Sequence, residues 1–292
     1  MLGYVLSYVL SYVLSHVLVS SHHDTKCAAG RLPRPIPLRL SMAESDDESG
    51  QSLDMSVLAS RIDAVKTFEP ESVRLLDMDS MVPGQCLELN VPDAFVETLE
   101  QLDENGTALV MVGRDRVQLL THGVECRIER LERRPGAGGF CLLQAARFCE
   151  VVEVGADEGR WLGRSGRVRW LPLDASPPSE QPTPAVLARA EALAELVAEW
   201  IRLVRSTGRE RQPNQVEKAL ADLGPIPEAT RPTARALWVA GLINPLPALG
   251  VALEIRPACL CAETADIRLQ VVEAGLRDSI ERLQKPGPPF ER

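Results

Sequence analysis

The chain has 292 residues, 45% apolar and 25% charged, with a formal net charge of −9. Those values argue against a wholly disordered, fibrous or membrane-embedded protein and allow one large or two modest domains, with a soluble, cytosolic type of protein as the default. Charge is uneven, because residues 1–42 hold Lys26, Arg31, Arg34 and Arg39 against the single acid Asp24, which leaves the rest more acidic than the average. An acidic body weighs against broad binding of nucleic-acid phosphates, which needs clustered Lys and Arg.

Residues 4–19 read YVLSYVLSYVLSHVLV, a four-residue unit too short in period for a solenoid and too interrupted by serines for a convincing membrane span. A basic, acid-poor stretch follows. Residues 1–42 therefore read either as an extension outside the folded protein or as an organelle address. Localisation is accordingly expected to be cytoplasmic, or a plastid or mitochondrial lumen if the segment targets. Residues 43–71 read as an acidic flexible segment with a short helix, and no membrane span is expected in the body.

From 72 to 173 short strand-like runs dominate. Pro83-Gly84 suits a tight turn before residues 86–91, where Leu87, Leu89 and Val91 alternate with polar residues. Pro92-Asp93 opens a short helix, with Phe95, Leu99 and Leu102 on one side and Asn105-Gly106 at its end. Further strands are expected over 107–113, 116–122, 124–131 and 140–154. Several short strands with one small helix predict a closed or nearly closed β-barrel.

Residues 174–184, DASPPSEQPTP, form a Pro-rich linker. A helical bundle is expected over 185–285, with 286–292 as a tail. Thr183 is placed to cap the first helix and Pro184 to begin it, and Val186, Ala190, Leu193, Val197, Trp200 and Val204 share a face up to Thr207-Gly208. Shorter helices are expected over 213–223 and 233–243. A last one begins at Thr264 with Leu269, Val272, Leu276, Ile280 and Leu283 on one stripe. The fold class is thus α+β, a small barrel followed by an α-helical bundle.

Catalytic patterns are weak. No GxxxxGK[ST] occurs, and only four of the 32 basic residues are lysines. His122 is the one histidine of the body, where a Ser–His–Asp triad would need it. The seven cysteines include no CxxC pair, so reduced thiols packed as small core residues are expected, with no metal and no cofactor. The apolar run 242–255 is expected to pack in the core. The segment from Trp161 to Trp170 sets Arg164, Arg167 and Arg169 between two tryptophans, a pattern suited to an anionic or extended partner. The plainer reading there is an exposed hairpin with a Trp packed inward.

Several segments in order resemble the Lon N-terminal domain family, the substrate-recognition module of Lon proteases. Val82-Pro83-Gly84 with Leu87, Leu89 and Val91 resembles the family's FPG turn and following strand. Gly123-Val124-Glu125-Cys126-Arg127-Ile128 is similar to its G-x-x-A-R-I strand, and Ala146-Arg147-Phe148-Cys149-Glu150-Val151 to its G-x-R-F-x-V segment. The run from Leu237 through Leu246 resembles the helix ending in L-L-P-L, and Glu263-Thr264 with Arg268-Leu269 the start of the last helix. The family's EPRY segment is replaced by Val91-Pro92-Asp93-Ala94-Phe95.

The resemblance implies a PUA-like barrel in a stand-alone form without ATPase or peptidase domains, and a non-catalytic protein. Its implied role is recognition of unfolded or extended polypeptide, or service as an adaptor for a protease or another protein complex. Peptide contacts are expected around Pro83, Gly84, Trp161, Arg164, Arg167 and Trp170. The alternative is an RNA-binding module using the PUA-like barrel, against which the acidic body weighs.

Overall fold

The computed structural model of the chain describes residues 69–115, 118–134, 138–157, 162, 164–173 and 182–285, all within the compact unit Leu53–Arg292. The readings made above for residues 1–68, Trp161, most of the Pro-rich linker and the tail from 286 lie outside the described residues. In chain order the elements are β1 (Glu71–Asp77), β2 (Cys86–Val91), α1 (Asp93–Glu104), β3 (Leu109–Val112), β4 (Arg114–Asp115), β5 (Gln118–Leu119), β6 (His122–Arg133), β7 (Gly139–Asp157) and β8 (Arg164–Leu171). Five helices follow: α2 (Pro184–Thr207), α3 (Gln215–Leu223), α4 (Pro232–Ile243), α5 (Arg256–Cys261) and α6 (Ala265–Gln284).

The main sheet runs β2-β7-β6-β3-β1-β8, and β8 pairs with β7 as well as β1, so the strands close on themselves. β1 and β3 are parallel; the other pairings are antiparallel. Closure depends on the 19-residue β7, whose first half pairs with β2 and β6 and whose second half pairs with β8. Bulges between Val124 and Cys126 and between Ile128 and Arg130 mark where the β6–β7 ladder bends. This barrel followed by helices is the α+β architecture expected from the sequence.

Alternation along the strands feeds two cores. In β3, Leu109 and Met111 join a large core shared with α1 and the helices, while Val110 and Val112 join a smaller one with Val73, Leu75, Cys149 and Val168. The large core is continuous from the barrel into α2, α4 and α6. α4 is buried on every side, as its nearly unbroken apolar sequence requires. Trp200 of α2 is fully buried and donates its indole N–H to Ser279 Oγ at 2.8 Å, and Ser279 in turn donates to the Val251 carbonyl.

The helix ends follow the local chemistry. Thr183 accepts the Val186 N–H and Thr264 the Ile267 N–H, each at 3.3 Å, and Gly208 closes α2 in the left-handed conformation. One expectation is corrected and one gains detail. Of the strand expected over 116–122, the described residues form the two-residue β5, which folds back on β4 outside the main sheet, and His122, which opens β6. The apolar run 242–255 does pack inward through Leu249, Val251 and Ile255, but it leads into α5, which at six residues is too short to announce itself by periodicity. Among the described residues no helix is long and apolar enough to cross a membrane.

Candidate functional site: the rim of the small core and its groove

Trp170 stands opposite Cys149 in the β7–β8 ladder and packs against the smaller core. Its indole N–H donates to Glu71 Oε2 at 2.5 Å, tying β8 to the start of β1. The Arg147 guanidinium lies 3.8 Å from the centroid of the same ring, a close cation–π contact. Arg147 also forks onto Glu125 of β6, with Nε to Oε2 at 2.7 Å and a second N–H to Oε1 at 2.8 Å. That fork holds the Glu125 carboxyl below its ordinary pKa, against the opposing effect of partial burial, and pushes the Arg147 guanidinium up. Four side chains from β1, β6, β7 and β8 thus close one rim of the barrel.

Beside the rim lies an open groove of about 850 Å³, counting the space at its mouth. Glu71, Glu125 and Arg147 form one wall, the end of α1 with Asp103 another, and Thr107, Ile128 and Glu129 line the remainder. β3 pairs with β6 only through Val110 with Glu125 and Met111 with Val124, although β6 continues to Arg133. The groove occupies the gap left where that ladder ends.

The residues singled out from the sequence fall in two places. Pro83 and Gly84 form the turn that joins barrel to helices. Gly84 has φ +91° and sits against Leu223 of α3, while its N–H donates to the Ala145 carbonyl at 2.8 Å. The neighbouring Gln85 is buried and donates Nε2 to the carbonyls of Gly241 at 3.1 Å and Asn244 at 2.9 Å, satisfying the end of α4. Arg164, Arg167 and Trp170 lie together on β8, but period two divides them. Arg164 and Trp170 share the side of buried Val168, whereas Arg167 faces the other way and is exposed. Trp161 lies outside the described residues.

The β8 arginines meet acids. Arg169 pairs with Glu150 at 2.7 Å, and Arg167 reaches Glu153 at 3.9 Å and the Pro70 carbonyl at 3.4 Å. Arg147, Glu71, Glu125, Asp103 and Glu129 were not singled out from the sequence as contact residues. Arg147 and Glu125 sit inside two of the segments that carried the resemblance, so that signal was present.

Cys126 lines the groove, but burial keeps the thiols from activation. Cys126, Cys149 and Cys259 are buried, and desolvation pushes each up to about 12; Cys86 and Cys141 rise to about 11, both chiefly through burial. All six described cysteines are free. Among the described residues no group of three or more His, Cys, Asp or Glu is placed to hold a metal ion. His122 stacks on Phe148, its centroid 5.4 Å away, and its Nδ1 lies 3.0 Å from Thr121 Oγ1. Burial, reinforced by Arg268, lowers its pKa, with Glu150 opposing. Lys218, expected on a solvated helix face, is exposed and bridges α3 to Glu88 of β2 at 2.6 Å.

No family model matches the chain, and no curated protein matches it. Among solved structures, the chain is similar to the Lon N-terminal domain protein from Xanthomonas campestris, at 16% identity and a TM-score of 0.45 over 70% of this chain and 98% of that one. It is also similar to the N-terminal domain of the Mycobacterium avium complex Lon protease, at 19% identity and a TM-score of 0.48 over 71% of this chain and 99% of that one.

Proposed function

We propose that this is a non-catalytic polypeptide-recognition protein, serving as a substrate-recognition or adaptor module, and that its contact surface is the Trp170 rim with the adjoining groove. The observation that carries the reading is the groove itself: an open channel beside a strand whose ladder stops at Glu125, lined in part by Glu71 and Arg147, the two residues that hold the Trp170 ring. Grooves of this kind suit main-chain recognition, in which side chains of many sequences are tolerated. The ordered resemblance of the turn at Pro83-Gly84 and of the segments around Arg127 and Arg147 to the Lon N-terminal domain family supports the same function.

The chemistry of the described residues agrees with a binding role. His122 is half-buried against Phe148, and every cysteine with a shifted pKa is shifted away from the thiolate. RNA binding through the barrel would require a basic stripe free to neutralise phosphates, whereas Arg167 and Arg169 already face carboxylates.

A peptide array of unrelated 12-residue sequences tests the proposal. The full chain is expected to bind many spots, and Trp170→Ala combined with Arg147→Ala to weaken them. Retention by the double variant would remove the rim from the site. Absence of binding across the array would remove the function.

A further inference from the structure

We propose that the free edge of β6 accepts an extended, basic segment of a partner polypeptide as an added strand; this rests on the polypeptide-recognition reading and specifies how it works. The argument begins with backbone direction. Ala145 of β7 donates to the Gln85 carbonyl and accepts from Gly84, so it faces the β2 side. Successive residues of a strand direct their N–H and C=O groups to alternate neighbours, so Leu143, opposite Leu87 in the β2–β7 register, faces β2 as well. Across the β6–β7 ladder Leu143 stands opposite Ile128. Ile128 therefore directs its backbone groups away from β7 and into the groove it lines. Among the described residues no strand pairs with β6 there, since the ladder to β3 ends at Glu125. An unpaired edge at the floor of an open channel is a template for another strand.

Charge selects the occupant. Asp103 and Glu129 line the groove, are exposed, and form no ion pair among the described residues. Among the described residues Glu71 accepts the Trp170 indole N–H and acts on Arg147 through its charge, while Arg147 forks onto Glu125. Of the two arginines on the lining, Arg127 alone is without a hydrogen-bonded partner among the described residues. The channel thus has an excess of carboxylates, complementary to Lys or Arg. An added strand presents alternate residues to alternate sides, so basic positions facing the carboxylates with apolar positions toward Leu102 and Leu109 fit this lining.

The test uses the full chain and a fluorescein-labelled decapeptide of alternating Val and Lys, read by anisotropy. Its controls are the alternating Val and Glu peptide and a Val-Lys peptide N-methylated on alternate amides. The Val-Lys peptide is expected to bind, the N-methylated form to lose binding, and Asp103→Lys with Glu129→Lys to weaken it about tenfold or more. Both substituted positions are exposed, and circular dichroism of the variant is the control for its folding. Equal binding of the Val-Glu peptide, or binding indifferent to N-methylation, overturns the proposal. Binding across the 12-residue array without binding of the Val-Lys peptide overturns strand addition while leaving polypeptide recognition standing. Silence in both overturns both.

Discussion

Arg147 does two jobs with one planar group: its face covers Trp170 and its edge forks onto Glu125. Lysine carries the charge but neither the fork nor the plane. Arg147→Lys is therefore expected to behave more like Arg147→Ala than like the parent, each losing about 1 kcal/mol in urea unfolding and exposing Trp170 to quenchers. His122 supplies a second residue-scale prediction. Its folded pKa is depressed below the ordinary 6.5, so the unfolded chain takes up the proton first as pH falls. Stability is expected to decline once pH drops below about 6.5. The Glu125 carboxyl, held down by Arg147, is also depressed from its ordinary value and adds a further loss at lower pH. His122→Gln should flatten the upper part of the decline and leave the lower part, in melts recorded from pH 7 to pH 4; an unchanged upper part contradicts this assignment.

At the scale of elements, the ends of helices were legible and the lengths of strands were not. Thr183-Pro184, Gly208 and Thr264 act locally, through one side chain or one backbone angle, and the structure uses each as the sequence indicates. The 19-residue β7 was not legible at full length, because its bulges and change of partner are set by closure of the barrel rather than by the pattern along the strand. The arginine segment of β8 shows the same limit. Its composition suggests one patch, whereas alternation separates Arg164 from Arg167 and cross-strand acids meet Arg167 and Arg169. The turn at Pro83-Gly84 was legible as a turn, but the role of Gln85 in holding α4 depends on residues more than 150 positions away. Gln85→Leu should cost about 2–3 kcal/mol by leaving buried carbonyls unpaired, measured by chemical denaturation. Thr264→Ala should cost only about 1 kcal/mol.

Across the described residues, the large core runs without interruption from barrel to helices, so the two parts share it, while the smaller core belongs to the barrel alone. Trp200→Ala is expected to destabilise by about 3–5 kcal/mol and to shift strand and helix signals together in a single transition. Separate transitions would contradict a shared core. The acidic balance seen in the sequence also gains a location, since Asp103, Glu129 and Glu71 concentrate it along the groove. That groove was not legible beforehand: it exists because one ladder stops at Glu125 while its neighbour runs on, and no residue pattern marks that stop.

Hydrogen–deuterium exchange of the full chain, with and without a saturating pool of unrelated 12-residue peptides, tests the central claim most directly. Recognition in the groove beside the barrel rim predicts slowed exchange centred on residues 102–109 and 125–130. Protection centred instead on the outer face of α2 around Ile201 and Arg205, or unchanged exchange at the groove while peptide is bound, would contradict it.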